Sequence, residues 1–387
     1  MLKVGIDARF ATRQPRRGIG NYSLNLLHHL VAEAPNVSFI LYIASRDSEN
    51  ILPIARNVKV RLIRIPLYPV WEQLILPVVA AIDRVNILHS LGNTGPLFKL
   101  GNYKSVISLM DVIFMQSGEG AIKPLSIYQS VGRLYRKFIA PKCSRVFDAV
   151  ITISHYSKLD IIAKIPEVNK HNIHVVHLGY DSISSKINSS TIASVNNEKK
   201  PFILVLGASD PRKNTTRLVR AFLSLLREKH IQEDLVICGY EDWESSESYD
   251  LTVKANAISR VKFFKHVSEA QLLSLYKQAR IFVYPSLFEG FGLPILEAFA
   301  LSCPVVASNT TSIPEVAGDA VLYIDPYNTD EIAKGIFTLL SDSYLRNTLT
   351  ISGRARVRMF TWQECAMKTL KIYRALTPSC SHLGGTE

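Results

Sequence analysis

Residues 283–300 read VYPSLFEGFGLPILEAFA: an apolar run that breaks at Pro285, a glycine-spaced turn, and a second apolar run with Pro294 at its start. Proline suits the first turn of a helix, where its missing N–H would go unsatisfied anyway, so the stretch reads as strand, glycine loop and helix. That order exposes free backbone amides and the positive helix end, a ready site for an anion. The same rhythm recurs along the chain. Short apolar runs bounded by Gly, Pro, Asn and Asp predict strands over 2–6, 37–43, 58–63, 87–89, 104–109, 149–153 and 174–177 in the first half. In the second half they predict strands over 202–206, 234–238, 261–264, 281–284, 305–307 and 321–324. Most are continuous rather than alternating, as in a parallel sheet covered on both faces by helices. Residues 186–200, KINSSTIASVNNEKK, are polar and poor in large apolar side chains, the composition of a linker. The expected architecture is α/β, two doubly wound parallel-sheet domains facing a cleft. They would span residues 1–185 and 201–360, with a final helix at 361–377 packing back onto the first.

A chain of 387 residues with 47% hydrophobic and 20% charged residues has the make-up of a soluble globular protein and the length of two domains. Its longest nearly unbroken apolar stretch, residues 74–82, holds Pro77 and falls short of the ~20 residues that cross a bilayer. The amino terminus, MLKVGIDARF, puts Asp7 and Arg9 where a secretory signal would be apolar, so a cytoplasmic protein is expected. Cys143, Cys238, Cys303, Cys365 and Cys380 are odd in number and off any metal-ligand spacing, which favours buried thiols over disulfides or zinc. The net charge is +12, and residues 1–190 hold 23 basic against 12 acidic residues while the rest holds 22 against 21. A basic field over one half fits an anionic partner such as a phosphorylated substrate or a membrane surface. Nucleic acid is disfavoured, because no aromatic-interleaved or helix-turn-helix pattern accompanies the charge.

Three loops could carry chemistry. In the loop Gly290, Phe291, Gly292, Leu293, the amides could hold a diphosphate, and Glu289 before it and Glu297 one turn into the helix can both face its mouth. Carboxylates beside a diphosphate are repelled unless they accept hydrogen bonds from hydroxyls, so the pattern suggests a nucleotide sugar; a carboxylate favouring the helix dipole would explain Glu297 alone. Residues 207–214, GASDPRKN, put Arg212 and Lys213 in a turn where they could neutralise a diphosphate leaving group, though solvated surface cations would look the same. The loop lacks GxGxxG spacing, which disfavours a nicotinamide cofactor. Residues 16–22, RRGIGNY, set Gly18 and Gly20 before a helix at 22–30, either for close approach to a phosphate or as a plain tight turn.

Together with VGIDAR, HLGYD, SIPEVAGDAVLYIDP and the terminal FTW, these segments resemble the retaining glycosyltransferases of the "group 1" family, whose Glu-x7-Glu motif corresponds to Glu289 and Glu297. The resemblance covers nearly the whole chain and implies the GT-B fold, two Rossmann-like domains. It further implies transfer of a sugar from a nucleotide-diphosphate donor with retention of configuration, and neither cofactor nor metal. By the same resemblance Arg212, Lys213 and the Gly292 and Leu293 amides hold the diphosphate and Glu297 the ribose. Glu289 would touch the donor sugar, and Gly18 and Gly20 would close on the phosphates.

Two positions depart from the pattern. The family's histidine is Met110 here, beside a retained Asp111 that is a candidate catalytic residue; methionine neither donates to a hydroxyl nor shuttles a proton. His89 is a possible substitute, although a structural histidine is the preferred reading. Ser302 stands where glycine is common and is expected to be tolerated. Leu125, Tyr128, Tyr135, Phe138 and Ile139 beside Arg133, Arg136 and Lys137 form a basic amphipathic segment suited either to an anionic membrane or to covering the core. The expected acceptor is lipid-linked or a polysaccharide, with mannose as the favoured sugar. The competing readings are a nucleotide-sugar 2-epimerase and a catalytically silent nucleotide-sugar-binding subunit.

Overall fold

The computed structural model describes residues 1–13, 18–44, 49–116, 127–180 and 200–377, so the predicted linker, apart from Lys200, lies outside the described residues, as do Leu125 and Cys380. Every predicted strand forms, with ends that coincide or shift by at most two residues. In the first half these are β1 (Lys3–Asp7), β2 (Ser38–Ile43), β3 (Val58–Leu62), β4 (Ile87–Ser90), β5 (Lys104–Ser108), β6 (Ala149–Thr152) and β7 (Ile173–Val175). In the second half they are β8 (Phe202–Leu206), β9 (Asp234–Cys238), β10 (Val261–Phe264), β11 (Ile281–Tyr284), β12 (Val305–Ser308) and β13 (Leu322–Ile324). The strands make two parallel sheets, ordered β3-β2-β1-β4-β5-β6-β7 and β10-β9-β8-β11-β12-β13.

The chain divides into two compact units: Met1–Val112 with Leu125–Gly179 and Thr361–Glu387, and Ile113–Pro124 with Tyr180–Phe360. In the second unit the helix Thr215–Glu228 buries Leu218, Val219, Phe222 and Leu225 on one face. They pack with Ile203, Ile237 and Val283 of the sheet in one core, as the 3.6-residue period requires. Cys143, Cys238, Cys303 and Cys365 are buried thiols outside any disulfide; burial pushes the Cys238 thiol up to about 12.

Two expectations in the first unit change. The helix expected from residue 22 runs Gly18–Glu33, so Gly18 and Gly20 occupy its first turn rather than a loop before it. Nothing lies within 4 Å of a Cβ built on Gly18. The amphipathic segment is part of the helix Ile127–Val146, and its outward apolar residues are Val131, Leu134 and Phe138, whereas Tyr135 turns inward to Glu72. Helical spacing gave the stripe; which face is covered depends on what packs beside it.

The last helix, Trp362–Leu376, packs within the first unit. Gly179 passes so close that a Cβ there would lie 2.2 Å from the Trp362 nitrogen, which excludes any larger residue. Tyr373 of this helix meets His89 Nδ1 at 2.6 Å, and His89 Nε2 meets Ser108 Oγ at 2.8 Å, which also bonds the Tyr22 hydroxyl at 2.8 Å. His89 thus ties β4 and β5 to two helices as a structural histidine, with both ring nitrogens engaged, and burial lowers its pKa to about 3.

The unfolded chain binds a proton at His89 below its ordinary 6.5 that the folded chain refuses until about 3. Stability is therefore full above that ordinary value and falls with acidification inside this window, by about 1.4 kcal/mol per pH unit. Urea unfolding at pH 7 and pH 5 is expected to show this loss in the wild type and a shallower one in His89→Gln; equal slopes would refute the assignment.

Candidate functional site

In a doubly wound sheet the crevice for ligands opens where strand order reverses. In the second unit that point lies between β8 and β11, and the two donor-type loops follow these strands. After β8, Gly207 runs so close to β9 that a Cβ would lie 2.4 Å from Ile237 Cγ2. Asp210 then caps a short turn, Pro211–Lys213, by accepting from the Arg212 N–H. Asn214 adopts a left-handed φ of 57° and donates its amide to the Pro285 and Pro326 carbonyls at 3.1 and 2.7 Å. The loops lock further through Leu287 N–H to the Arg212 carbonyl, 2.7 Å.

After β11, Ser312 Oγ sits 2.9 Å from both the Glu289 and Phe291 carbonyls, and Thr311 Oγ1 accepts from the Glu289 N–H at 3.2 Å. Gly292, at φ 115°, caps the helix Leu293–Ala300, a backbone that a side chain would strain. Ser302, just past that helix, stands at φ 62°, which explains a preference for glycine, and its hydroxyl accepts from Arg354 Nε at 2.6 Å.

This scaffold brings Lys213, Glu289, the Gly290–Leu293 loop and Glu297 together. Lys213 Nζ donates to Glu289 Oε1 at 2.8 Å and lies 5.3 Å from the centre of the Tyr284 ring. Burial raises the Glu289 pKa, but the Lys213 charge, with its hydrogen bond and the nearby Tyr284 and Ser286 hydroxyls, reverses this and holds the carboxyl below its usual range. The Tyr284 and Ser286 oxygens are buried and close no well-formed hydrogen bond among the described residues. Glu297 accepts from the Tyr276 hydroxyl at 3.0 Å. Its pKa is raised, first by burial and then by the Glu269 charge. The Arg212 guanidinium is forked onto the Asp210 carboxylate.

Asp111, Gly18 and Gly20 belong to the first unit. Asp111 follows β5 and is half-buried. Met110 beside it is buried; its N–H goes to Asn93 Oδ1 at 2.8 Å and its carbonyl accepts from Thr152 Oγ1 at 3.0 Å. Sequence reasoning missed Tyr276, Tyr284, Ser286 and Tyr180, whose buried hydroxyl near Glu297 has no partner among the described residues. Tyr284 and Tyr180 stood inside the quoted segments, where their apolar character masked the polar tip.

With the geometry in view, residues 188–356, which take in most of the second unit, match the model of the family glycosyl transferases group 1. The chain is similar to O-antigen chain mannosyltransferase B of Escherichia coli, 39% identical over 175 residues covering 45% of this chain and 46% of that one. It is also similar to O-antigen chain mannosyltransferase RfbU of Salmonella typhimurium, 29% identical over 239 residues covering 59% and 63%. The matched stretches thus span about half the length of these relatives. Among solved structures, sucrose-phosphate synthase from Thermosynechococcus elongatus superposes with a TM-score of 0.69 at 19% identity, over 97% of this chain and 99% of that one. The two parallel-sheet domains are of the GT-B class.

Asn214→Ala removes the side-chain donor to the buried Pro285 carbonyl and the nearer of two side-chain donors to the buried Pro326 carbonyl, and leaves a left-handed residue without its side-chain anchor. A loss of about 2–4 kcal/mol, read as a lower urea midpoint of the second unit, is expected.

Proposed function

We propose that the chain is a retaining glycosyltransferase that moves a sugar, mannose by preference, from a nucleotide-diphosphate donor to a lipid-linked or polysaccharide acceptor in cell-envelope glycan assembly. The observation that carries the reading is Lys213 bonded to the half-buried Glu289 at the switch point, with Glu297 within reach of its charge, beside the amides of a glycine loop. The names of the curated relatives support mannose and glycan assembly. As the glycosidic bond breaks, charge grows on the diphosphate. Lys213 and the Gly292 and Leu293 amides are aimed where it develops, and Arg212 can join them by leaving Asp210. The leaving phosphate takes the proton from the acceptor hydroxyl on the same face, so the chemistry needs neither the histidine that Met110 replaces nor a metal. Glu297 takes the ribose hydroxyls through the oxygen that Tyr276 leaves open, and Glu289 the donor sugar. Asp111, Gly18 and Gly20 are assigned to the acceptor and phosphate side.

The test is a thermal-shift panel of GDP, UDP, ADP and TDP without added metal, where ligand at 100 times its dissociation constant stabilises by about 2.7 kcal/mol. One diphosphate, GDP by preference, is expected to shift the melting point; none doing so would refute the donor site. Lys213→Ala is expected to weaken nucleotide affinity at least about tenfold. Glu289→Ala should abolish transfer while affinity holds or rises, because the diphosphate no longer competes with a carboxylate for Lys213.

We also place the protein on the cytoplasmic side of an anionic bilayer, as a peripheral enzyme. No helix among the described residues is long and apolar enough to cross one. On the helix Ile127–Val146, Val131, Leu134 and Phe138 are 62%, 55% and 61% exposed, and Lys137, Lys142 and Arg145 are exposed with them. An apolar ridge flanked by cations suits anionic lipid. Sedimentation with phosphatidylglycerol vesicles is expected, reduced about tenfold by Leu134→Ser with Phe138→Ser and weakened by salt. Equal recovery with neutral vesicles would refute it.

A further inference from the structure

The first sheet reverses its order between β1 and β4, so the loops after these strands mark a second crevice. The residues gathered there play no part in the donor chemistry. Glu72 is fully buried. It accepts from Thr94 Oγ1 at 2.6 Å, Tyr135 at 2.7 Å, Gln73 Nε2 at 3.2 Å and Tyr68 at 2.5 Å. It stands in a five-residue π-helical turn, Trp71–Ile75, a distortion that concentrates at functional sites. Arg9, just past β1, bonds Asp7 Oδ2 through Nη2 at 3.0 Å, and its guanidinium lies 4.0 Å from the Tyr68 ring centre and 4.9 Å from that of Phe10.

A scaffold network satisfies its own donors. This one does not: Arg9 Nε and Nη1, Trp71 Nε1 and Ser90 Oγ are all closed off from solvent without a partner among the described residues. Trp71 and Ser90 are 1% and 0% exposed. Orphaned donors of this kind call for an acceptor that the chain itself does not provide. Its charge narrows the choice. Asp7 and Glu72 outnumber Arg9, so a phosphate would meet an excess of negative charge. A neutral sugar ring, by contrast, offers hydroxyls that both accept from a guanidinium and donate to a carboxylate, and its apolar face suits the Phe10 and Tyr68 rings. At the margin, Leu67, Leu74 and Leu134, each next in sequence to a residue of the cluster, are 64%, 53% and 55% exposed.

We infer that the Arg9–Glu72 cluster is the subsite for a neutral sugar ring of the acceptor, with the exposed leucines beside it meeting the acceptor's apolar part. This rests on the transferase reading and adds to it the residues that choose the acceptor. Two probes separate the sugar from the chain: octyl α-mannoside and an octyl tetraethylene glycol ether without a sugar head. Isothermal titration is expected to show the mannoside binding at least about tenfold more tightly than the ether. Glu72→Gln and the milder Tyr135→Phe are each expected to erase that preference while leaving ether binding and the melting point close to wild type. Equal affinity for the two probes in the wild type, or an undiminished preference in Tyr135→Phe and in folded Glu72→Gln, would overturn the inference. GDP, UDP, ADP and TDP titrated in turn into the same wild-type protein keep the readings apart. Failure of all four to bind would remove the transferase reading, whereas a lost sugar preference with diphosphate binding intact removes only the acceptor subsite.

Discussion

A parallel sheet cannot turn back on itself by hairpins. Each strand is followed by a crossover that returns the chain to the same starting edge, so every loop leaving a strand gathers at one end of the sheet. Where the order reverses, two of these loops diverge and leave a crevice between them. That constraint acts twice here, between β1 and β4 and between β8 and β11. It places Arg9 over the ring of Tyr68, whose hydroxyl meets Thr94, in one unit and Lys213 beside Glu289 in the other. Much of the chain's chemistry outside these loops is hydrophobic packing that holds the strand ends still.

The second-unit site works by local compensation. Glu289 loses hydration, which by itself would raise its pKa, and Lys213 more than restores the ionised form. Among the described residues Glu297 has no such counter-charge in contact and is left raised, steadied by one phenol. Two carboxylates a few residues apart thus acquire different characters from their neighbours alone. Arg212 bonds Asp210 within its own turn, while Lys213 bonds Glu289 and its charge also reaches Glu297. An anion entering beside Lys213 has to replace Glu289 as its partner, so occupancy of the site and freedom of the Glu289 carboxylate are coupled.

The strands were legible because both faces of each sheet are covered, which turns them into continuous apolar runs such as Phe202–Leu206 and Ile281–Tyr284. Gly207 and Gly292 were legible too, since a close strand crossing and a left-handed helix cap each exclude a Cβ. Gly18 and Gly20 were not, because a glycine pair before a helical pattern reads equally as loop or first turn. Helical periodicity likewise found an apolar stripe on Ile127–Val146 but left open whether Tyr135 faces out or covers the core, and Glu72 has drawn it in. Glu72 itself, an acid amid apolar residues, carried no local signal, as its partners Thr94 and Tyr135 are 22 and 63 residues away.

The sequence by itself determined what is set by local sterics and by burial on a fixed period: two runs of parallel strands, the glycine loops after β8 and β11, the cations and acids those loops carry, and the helix that ends the described chain. Tertiary structure decided what depends on partners distant in sequence. It neutralised His89 between Tyr373 and Ser108, turned Arg212 onto Asp210, set Lys213 against Glu289, and left Arg9 with buried donors around Glu72. The physical reason is that a residue's backbone preference is written in its neighbours along the chain, whereas its charge state and hydrogen-bond partners are written in its neighbours in space.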